Sequence, residues 1–344
     1  MSTIKLSIVD QSPVHDGKSQ AAALQDSVRL AQLADSLGYH RYWVAEHHGT
    51  PSYAGSAPEI LIGQIAAHTR NIRVGSGGVM LSHYSPYKVA EVFRTLDAFF
   101  PGRIDLGVGR APGGAGQITE ALAYPHTPTA PNRFPHLLEA LTGYIDGNLP
   151  TGHAFQGLPT TPEGSKTSPQ LWALGSSDGS IELAARLGWG FVLALFIGTH
   201  HRAADIISDY RKMFRSRSRD GDNTGPAMIA NAVICADSRE EAEFLAASHT
   251  YWKLQAHRHG IREGLRDPAQ CLDLYAQLPQ SDRAFFDETR SGMILGTPEQ
   301  CRERLEYQAD YYDVDEVVAV AVTHSFEQRC ESYRKLASAF GLSD

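Results

Sequence analysis

Glu46-His47-His48 is the densest cluster of chemically capable side chains in the sequence, and it closes a short apolar run at 41–45. Adjacent side chains on a strand point to opposite sides, so Glu46 and His48 share a face and His47 takes the other. An imidazole titrates near neutral pH, which suits one of these histidines to general-base work. The competing reading is a strand-end histidine paired with its neighbouring carboxylate. Gly77-Gly78 closes another run, where the missing side chains let a flat ligand approach the backbone or simply make a bulge. Arg110 follows Gly107-Val108-Gly109, at a position where a planar cation on a glycine-rich loop clamps phosphate oxygens. Gly175-Ser176-Ser177-Asp178 enters a helical segment, so its hydroxyls, free N–H groups and helix dipole form an anion site. Alone, the same residues make an N-cap. Arg110, Ser176 and Ser177 together describe a phosphate-bearing ligand. A metal centre would need convergence of residues such as Glu46, His48 and His83. With no HxH on the first strand and only Thr323-His324 after the last, none is expected.

The elements that must position these residues alternate almost from end to end. Strand-like runs occupy 4–9, 41–45, 72–79, 104–108, 170–174, 190–195, 228–235 and 316–322, most of them followed by helical periodicity. Leu24, Val28, Ala31 and Leu37 fall near helical spacing, with Gly38 as the stop. Ser56-Ala57-Pro58-Glu59, Thr297-Pro298-Glu299-Gln300 and Ser325-Phe326-Glu327-Gln328 read as capping boxes, and Ser85-Pro86 puts a proline at the first helical position. Eight strands alternating with helices predict a (β/α)8 TIM barrel, an α/β fold whose site lies at the C-terminal ends of its strands. A doubly wound sheet is the alternative, but it wants a glycine fingerprint where this chain has Asp10-Gln11-Ser12-Pro13. A single domain over 1–344 is expected. Long insertions at about 109–133 and 236–295, the second containing a helix at 240–252, are expected to fold over the barrel mouth as lids.

Composition narrows the class. The chain has 344 residues, 42% of them apolar, enough for a large core. Its 31 basic and 39 acidic residues give a net charge of -8, the wrong sign for a nucleic-acid partner. No stretch approaches the roughly 18 apolar residues of a membrane span, and Met1-Ser2-Thr3-Ile4-Lys5 runs into a strand without a signal-peptide pattern. The four cysteines form neither a CxxC pair nor a metal spacing. A cytoplasmic protein is expected.

Five motifs in order resemble the bacterial luciferase-like flavin-dependent monooxygenases along nearly the whole chain. They are Leu6-Ser7-Ile8-Val9-Asp10-Gln11-Ser12-Pro13, Tyr42-Trp43-Val44-Ala45-Glu46-His47-His48, the glycine-rich stretch 72–81, Gly107-Val108-Gly109-Arg110-Ala111-Pro112-Gly113, and Leu174-Gly175-Ser176-Ser177 with the helix after it. The resemblance implies a TIM barrel using FMN, as FMNH2 supplied by a separate NAD(P)H:flavin reductase, together with molecular oxygen. It implies oxidation of a small organic substrate through a flavin C4a-hydroperoxide. Arg110, Ser176 and Ser177 would hold the flavin phosphate, and Gly77 and Gly78, joined by a non-proline cis peptide, would lie under the isoalloxazine. His47 would be the catalytic base, with Glu46 beside the flavin as the second catalytic residue. The Gly-Arg-Ala-Pro-Gly stretch is similar to the FMN-using subgroup. Gly109 and Gly175 depart from the luciferase branch, so light emission is not expected. A homodimer is also implied, through the helices around the second and third strands. The alternatives are a deazaflavin-dependent oxidoreductase on the same barrel, a non-catalytic flavin-binding protein and, third, a metal-dependent hydrolase.

Overall fold

A computed structural model of the chain describes residues 4–15, 17–111, 116–175, 178–197, 203–215 and 224–342. Its elements run β1 (Lys5–Asp10), α1 (Gln20–Ser36), β2 (Arg41–Val44), α2 (Pro58–His68), β3 (Arg73–Met80), α3 (Pro86–Phe99), β4 (Ile104–Gly109), α4 (Gln117–Ala123), α5 (Phe134–Asp146) and β5 (Gln170–Gly175). They continue with α6 (Asp178–Leu187), β6 (Gly190–Ala194), α7 (Asp205–Met213), β7 (Ala227–Cys235), α8 (Arg239–Leu254), α9 (Pro268–Gln277), α10 (Gln280–Ser291), β8 (Ile294–Gly296), α11 (Pro298–Tyr312), β9 (Glu316–Val320) and α12 (Phe326–Ala339). A π-helical turn, Gln255–His259, extends α8.

The strands pair in parallel in the order β6-β5-β4-β3-β2-β1-β9-β7, and β7 closes the ring on β6. This is the expected eight-stranded barrel. β7 pairs with β6 and β9 through residues 227–232, then runs on so that 233–235 pair with β8. Three residues without a turn signal on either side carry too little pattern to announce β8 from sequence.

Strand alternation divides the barrel's packing into two layers. Outward residues such as Leu6, Ile8, Val74 and Leu106 pack with the helices in one large core. Inward residues fill the barrel in tiers. The N-terminal tier is ionic: Arg41 donates from Nε to Glu316 Oε1 and from Nη1 to Asp105 Oδ2, each at 2.8 Å. Arg73 Nε donates to Asp105 Oδ1 at 3.0 Å, and Ser7 Oγ to Glu316 Oε1 at 2.5 Å. Burial opposes the Arg41 charge, but Asp105 and Glu316 outweigh it and raise its pKa. Above lies an apolar tier that includes Val9, Trp43, Trp172, Met228 and Val318. Trp43 Nε1 reaches down to Asp105 Oδ2 at 2.9 Å, and the Arg41 guanidinium stacks 4.8 Å from the Trp172 ring. The lower half of the barrel is therefore solid.

Helix starts follow local chemistry with one correction. Thr297 and Gln300 form the reciprocal box, and Ser325 Oγ accepts from the Gln328 amide. Ser56 does not cap α2. Pro58 occupies the first helical position, so the N-cap falls on the intervening Ala57, and no side chain caps that end. Gly38, at φ 80°, follows the end of α1 as expected. On α3 the apolar face is largely spent on the barrel, with Val89, Phe93 and Leu96 buried and Phe99 73% exposed. Among the described residues no helix is long and apolar enough to cross a membrane.

Replacing Arg41 with Met is expected to lower folding stability by about 3–5 kcal/mol, since it strands buried carboxylates without their counter-ion. Urea denaturation measures this. The deficit should shrink as pH falls, because protonating a stranded carboxyl removes the buried charge.

Candidate active site

The mouth of the barrel holds a cavity of about 390 Å³. Its floor and one flank come from strand ends: Val9, Gln11, Ala45, His47, Gly77 and Met80, with Ala111 just beyond β4. The facing wall comes from α8 and the segment after it: His249, Trp252, Lys253, Ala256, His257 and Arg262. Thr50, Tyr53, Phe196 and Ile197 complete the lining.

The Glu46-His47-His48 triplet straddles the wall of this cavity as alternation requires. Glu46 is wholly buried on the side away from the cavity. Its Oε1 accepts from Tyr84 Oη at 2.6 Å and pairs with His48 Nε2 at 2.7 Å, while Oε2 accepts from the Met80 amide at 2.8 Å. Burial and the Glu46 charge together raise the Tyr84 phenol far above its usual pKa, so it stays a donor. Glu46 thus ties the end of β2 to the turn that follows β3.

His47 faces the cavity. Its ring packs on Tyr53 with centroids 4.6 Å apart, and Tyr53 packs on Trp252 at 4.9 Å. Trp252 Nε1 donates to Ser52 Oγ at 2.8 Å, and Ser52 Oγ donates to the Glu263 carbonyl oxygen at 2.8 Å. These bonds join the β2 loop to the insertion, making one aromatic wall from segments some 200 residues apart. The buried Nδ1 of His47 has no hydrogen-bond partner among the described residues. Burial lowers its pKa from 6.5 to about 4, with His48 and Arg262 adding to the effect and Glu46 opposing it. At neutral pH it is an uncharged imidazole with one nitrogen unpartnered among the described residues.

Gly77 and Gly78 are joined by a cis peptide, and the β3–β4 register slips between Gly77 and Val79. A Cβ on Gly78 would lie 2.6 Å from the Gly107 carbonyl oxygen, so the close strand approach requires glycine. Gly77 presents bare backbone to the cavity beside Val9. Arg110 is exposed and makes no ion pair among the described residues. Gly109 is in register with Leu174, so Arg110 and Gly175 leave neighbouring strands side by side. Ser176 and Ser177, the other expected phosphate ligands, lie outside the described residues. No three or more His, Cys, Asp or Glu side chains converge as a metal-binding group among the described residues.

Sequence reading did not single out Tyr53, Tyr84, His249, Trp252, Lys253, His257 or Arg262. A signal existed for the α8 set: 249, 252, 253, 256 and 257 recur at helical spacing and share one face. His249 is buried with Nδ1 unpartnered, and burial, then Lys253 and His257, push its pKa well below 6.5. Lys253 Nζ donates to the Phe196 carbonyl oxygen at 2.6 Å, and burial lowers its pKa to about 8.

Residues 4–313 match the family model described as luciferase-like monooxygenase. The chain is 43% identical to the uncharacterized protein YwcH of Bacillus subtilis (strain 168), across 98% of this chain and 99% of that one. It is 37% identical to the N-acetyl-S-alkylcysteine monooxygenase of the same organism, across 98% of each chain. The crystal structure of apo-MsnO8 superposes with a TM-score of 0.87 at 38% identity, covering 99% of both chains.

Two outcomes follow from the geometry. Glu46→Ala should cost roughly 3 kcal/mol or more of stability by stranding the Met80 amide, Tyr84 and His48, as read from the urea midpoint. In the unliganded protein, NMR should find the His47 ring titrating near pH 4 rather than 6.5. Because its folded pKa is depressed, the stability linked to this ring is complete above 6.5 and is lost as pH falls toward 4.

Proposed function

Because the chain belongs to the luciferase-like monooxygenase family, we propose that it is a flavin-dependent monooxygenase using reduced FMN and molecular oxygen on a small organic substrate. The observation that carries this reading is a cavity lined by the bare backbone of Gly77 and by His47, whose Nδ1 has no hydrogen-bond partner among the described residues. A Cβ on Gly77 would press Val9 Cγ2 at 3.2 Å and Trp43 Cβ at 3.3 Å, so the packing beneath this backbone favours glycine. The cavity volume lies within the usual span for cofactor and ligand sites.

In this reading Gly77 and Gly78 lie under the flavin ring, and Arg110 with Ser176 and Ser177 holds its phosphate where β4 and β5 end. Bound reduced flavin supplies the electrons that activate oxygen, one oxygen atom passing to the substrate and the other leaving as water. His47, uncharged at neutral pH, accepts or returns a proton at Nδ1. Glu46, turned away from the cavity, acts by holding Met80 and Tyr84 in place rather than by touching the ring. Tyr53 and Trp252 screen the reacting centre from water. The chain has no dinucleotide fingerprint after its first strand, so a separate NAD(P)H:flavin reductase supplies the electrons. We place the protein in the cytoplasm, as a homodimer.

The relative named for N-acetyl-S-alkylcysteines makes such thioethers the first substrates to assay. With chemically reduced FMN and 18O-labelled dioxygen, one labelled atom should enter the product. Turnover of a reduced deazaflavin without oxygen uptake would sink the reading. Arg110→Ala should weaken FMN binding roughly ten- to a hundredfold and leave riboflavin binding unchanged, as measured by fluorescence titration. Equal loss for both flavins would remove Arg110 from the phosphate.

A further inference from the structure

The insertion side of the cavity carries positive charge that the flavin reading does not use. Lys253 reaches the cavity from α8, where it donates to the neutral Phe196 carbonyl oxygen and makes no ion pair among the described residues. Arg262 lines the same wall, also without an ion pair among the described residues; its charge adds to the lowering of the His47 pKa and offsets part of the rise that burial gives Tyr53. Both charges are felt at His257, and Lys253 also acts on His249, so the groups form one cluster. Neither Asp nor Glu lines the cavity among the described residues. The chain's net charge is -8, so this cationic wall runs against the protein's overall balance. A partly buried ammonium facing only a neutral oxygen lacks its counter-charge, and a bound anion would supply one.

Resting on the monooxygenase reading above, we propose that the organic substrate carries a carboxylate, held by Lys253 and Arg262 on the insertion side of the cavity. His249 lines the same wall, its buried Nδ1 without a hydrogen-bond partner among the described residues. The two sets of cations come from different parts of the chain. Arg110 and Gly175 leave neighbouring strands β4 and β5, whereas Lys253 and Arg262 belong to the insertion. The cationic wall continues through Trp252 and Tyr53 to His47. A substrate anchored there by its carboxylate therefore lies along the aromatic wall with its reacting end toward His47 and Gly77.

Equilibrium dialysis against matched pairs tests this: N-acetyl-S-methylcysteine and 3-phenylpropionate, each beside its primary carboxamide. The FMN-loaded protein should bind each acid roughly tenfold or more tightly than its amide. That preference should vanish in Lys253→Met, weaken in Arg262→Gln and survive in Lys253→Arg. Acid and amide binding equally, neither acid binding, or a preference untouched by Lys253→Met and Arg262→Gln would each overturn the proposal. FMN and riboflavin affinities are measured first on the same proteins. If Lys253→Met loses FMN affinity but keeps that for riboflavin, Lys253 holds the flavin phosphate and the substrate assignment falls. If the wild type binds neither flavin, the monooxygenase reading fails on its own, and the acid–amide comparison is read on the flavin-free protein.

Discussion

The Arg41 guanidinium, held inside the barrel between Asp105 and Glu316, is the interaction from which the rest of the architecture follows. Eight closed strands leave an interior that side chains must fill, since a void there would forfeit packing on every side. This chain fills the lower part with charge and the middle with tryptophan. Arg41 touches both tiers, paired with carboxylates on one side and stacked on Trp172 on the other. A buried pair of this kind adds little net stability over well-packed apolar groups, but breaking it is costly. Its consequence is geometric: among the described residues the lower half of the barrel is filled, and the barrel's cavity lies at the C-terminal ends of the strands.

At those ends one triplet does two jobs. Glu46 faces inward to the protein and holds the Met80 amide at the end of β3, Tyr84 beyond it and His48 of its own segment, and His47 lines the cavity with its Nδ1 unpartnered among the described residues. The two roles depend on each other. The carboxylate that holds Met80, at the end of the strand that carries Gly77 and Gly78, sits on the residue next to the imidazole, which ties that strand to the position of the ring. The outer face shows a similar economy. Arg329 of α12 donates to Asp10 Oδ1 at 2.5 Å and to the Ala321 carbonyl oxygen at 2.8 Å, pinning the ends of the first and last barrel strands together. Burial alone would raise the Asp10 pKa, but the Arg329 charge and hydrogen bonds from Ser27, Tyr42 and Arg329 bring it below the usual value.

The insertion turns this floor into a chamber. The face of α8 that carries His249, Trp252 and Lys253 closes over the strand ends, and its π-helical extension adds Ala256 and His257 to the same surface. The charges differ by side. The strand side offers an uncharged imidazole, and the insertion side offers cations. In the proposed reading, that division assigns a ring system to the backbone side and an anionic group to the side chains of the insertion.

Short-range patterns in the sequence determined the eight barrel strands, the opposite facing of Glu46 and His47, the Thr297 cap and the stop at Gly38. Each is written within a few residues, by the two-residue period of a strand or the chemistry of one helix end. Ser56 shows the limit of such windows, since a single intervening alanine moved the cap. Only the tertiary structure decided the partners of Glu46, the ionic tier and the cavity's second wall. Arg41 meets Asp105 and Glu316 across 64 and 275 residues, distances over which sequence spacing carries no information about contact. Those meetings depend on strand register and on closure of the ring, which no local window contains. The helix at 240–252 was legible by its period, but the face it turns to the cavity is set by bonds such as Trp252 to Ser52, which join residues 200 positions apart.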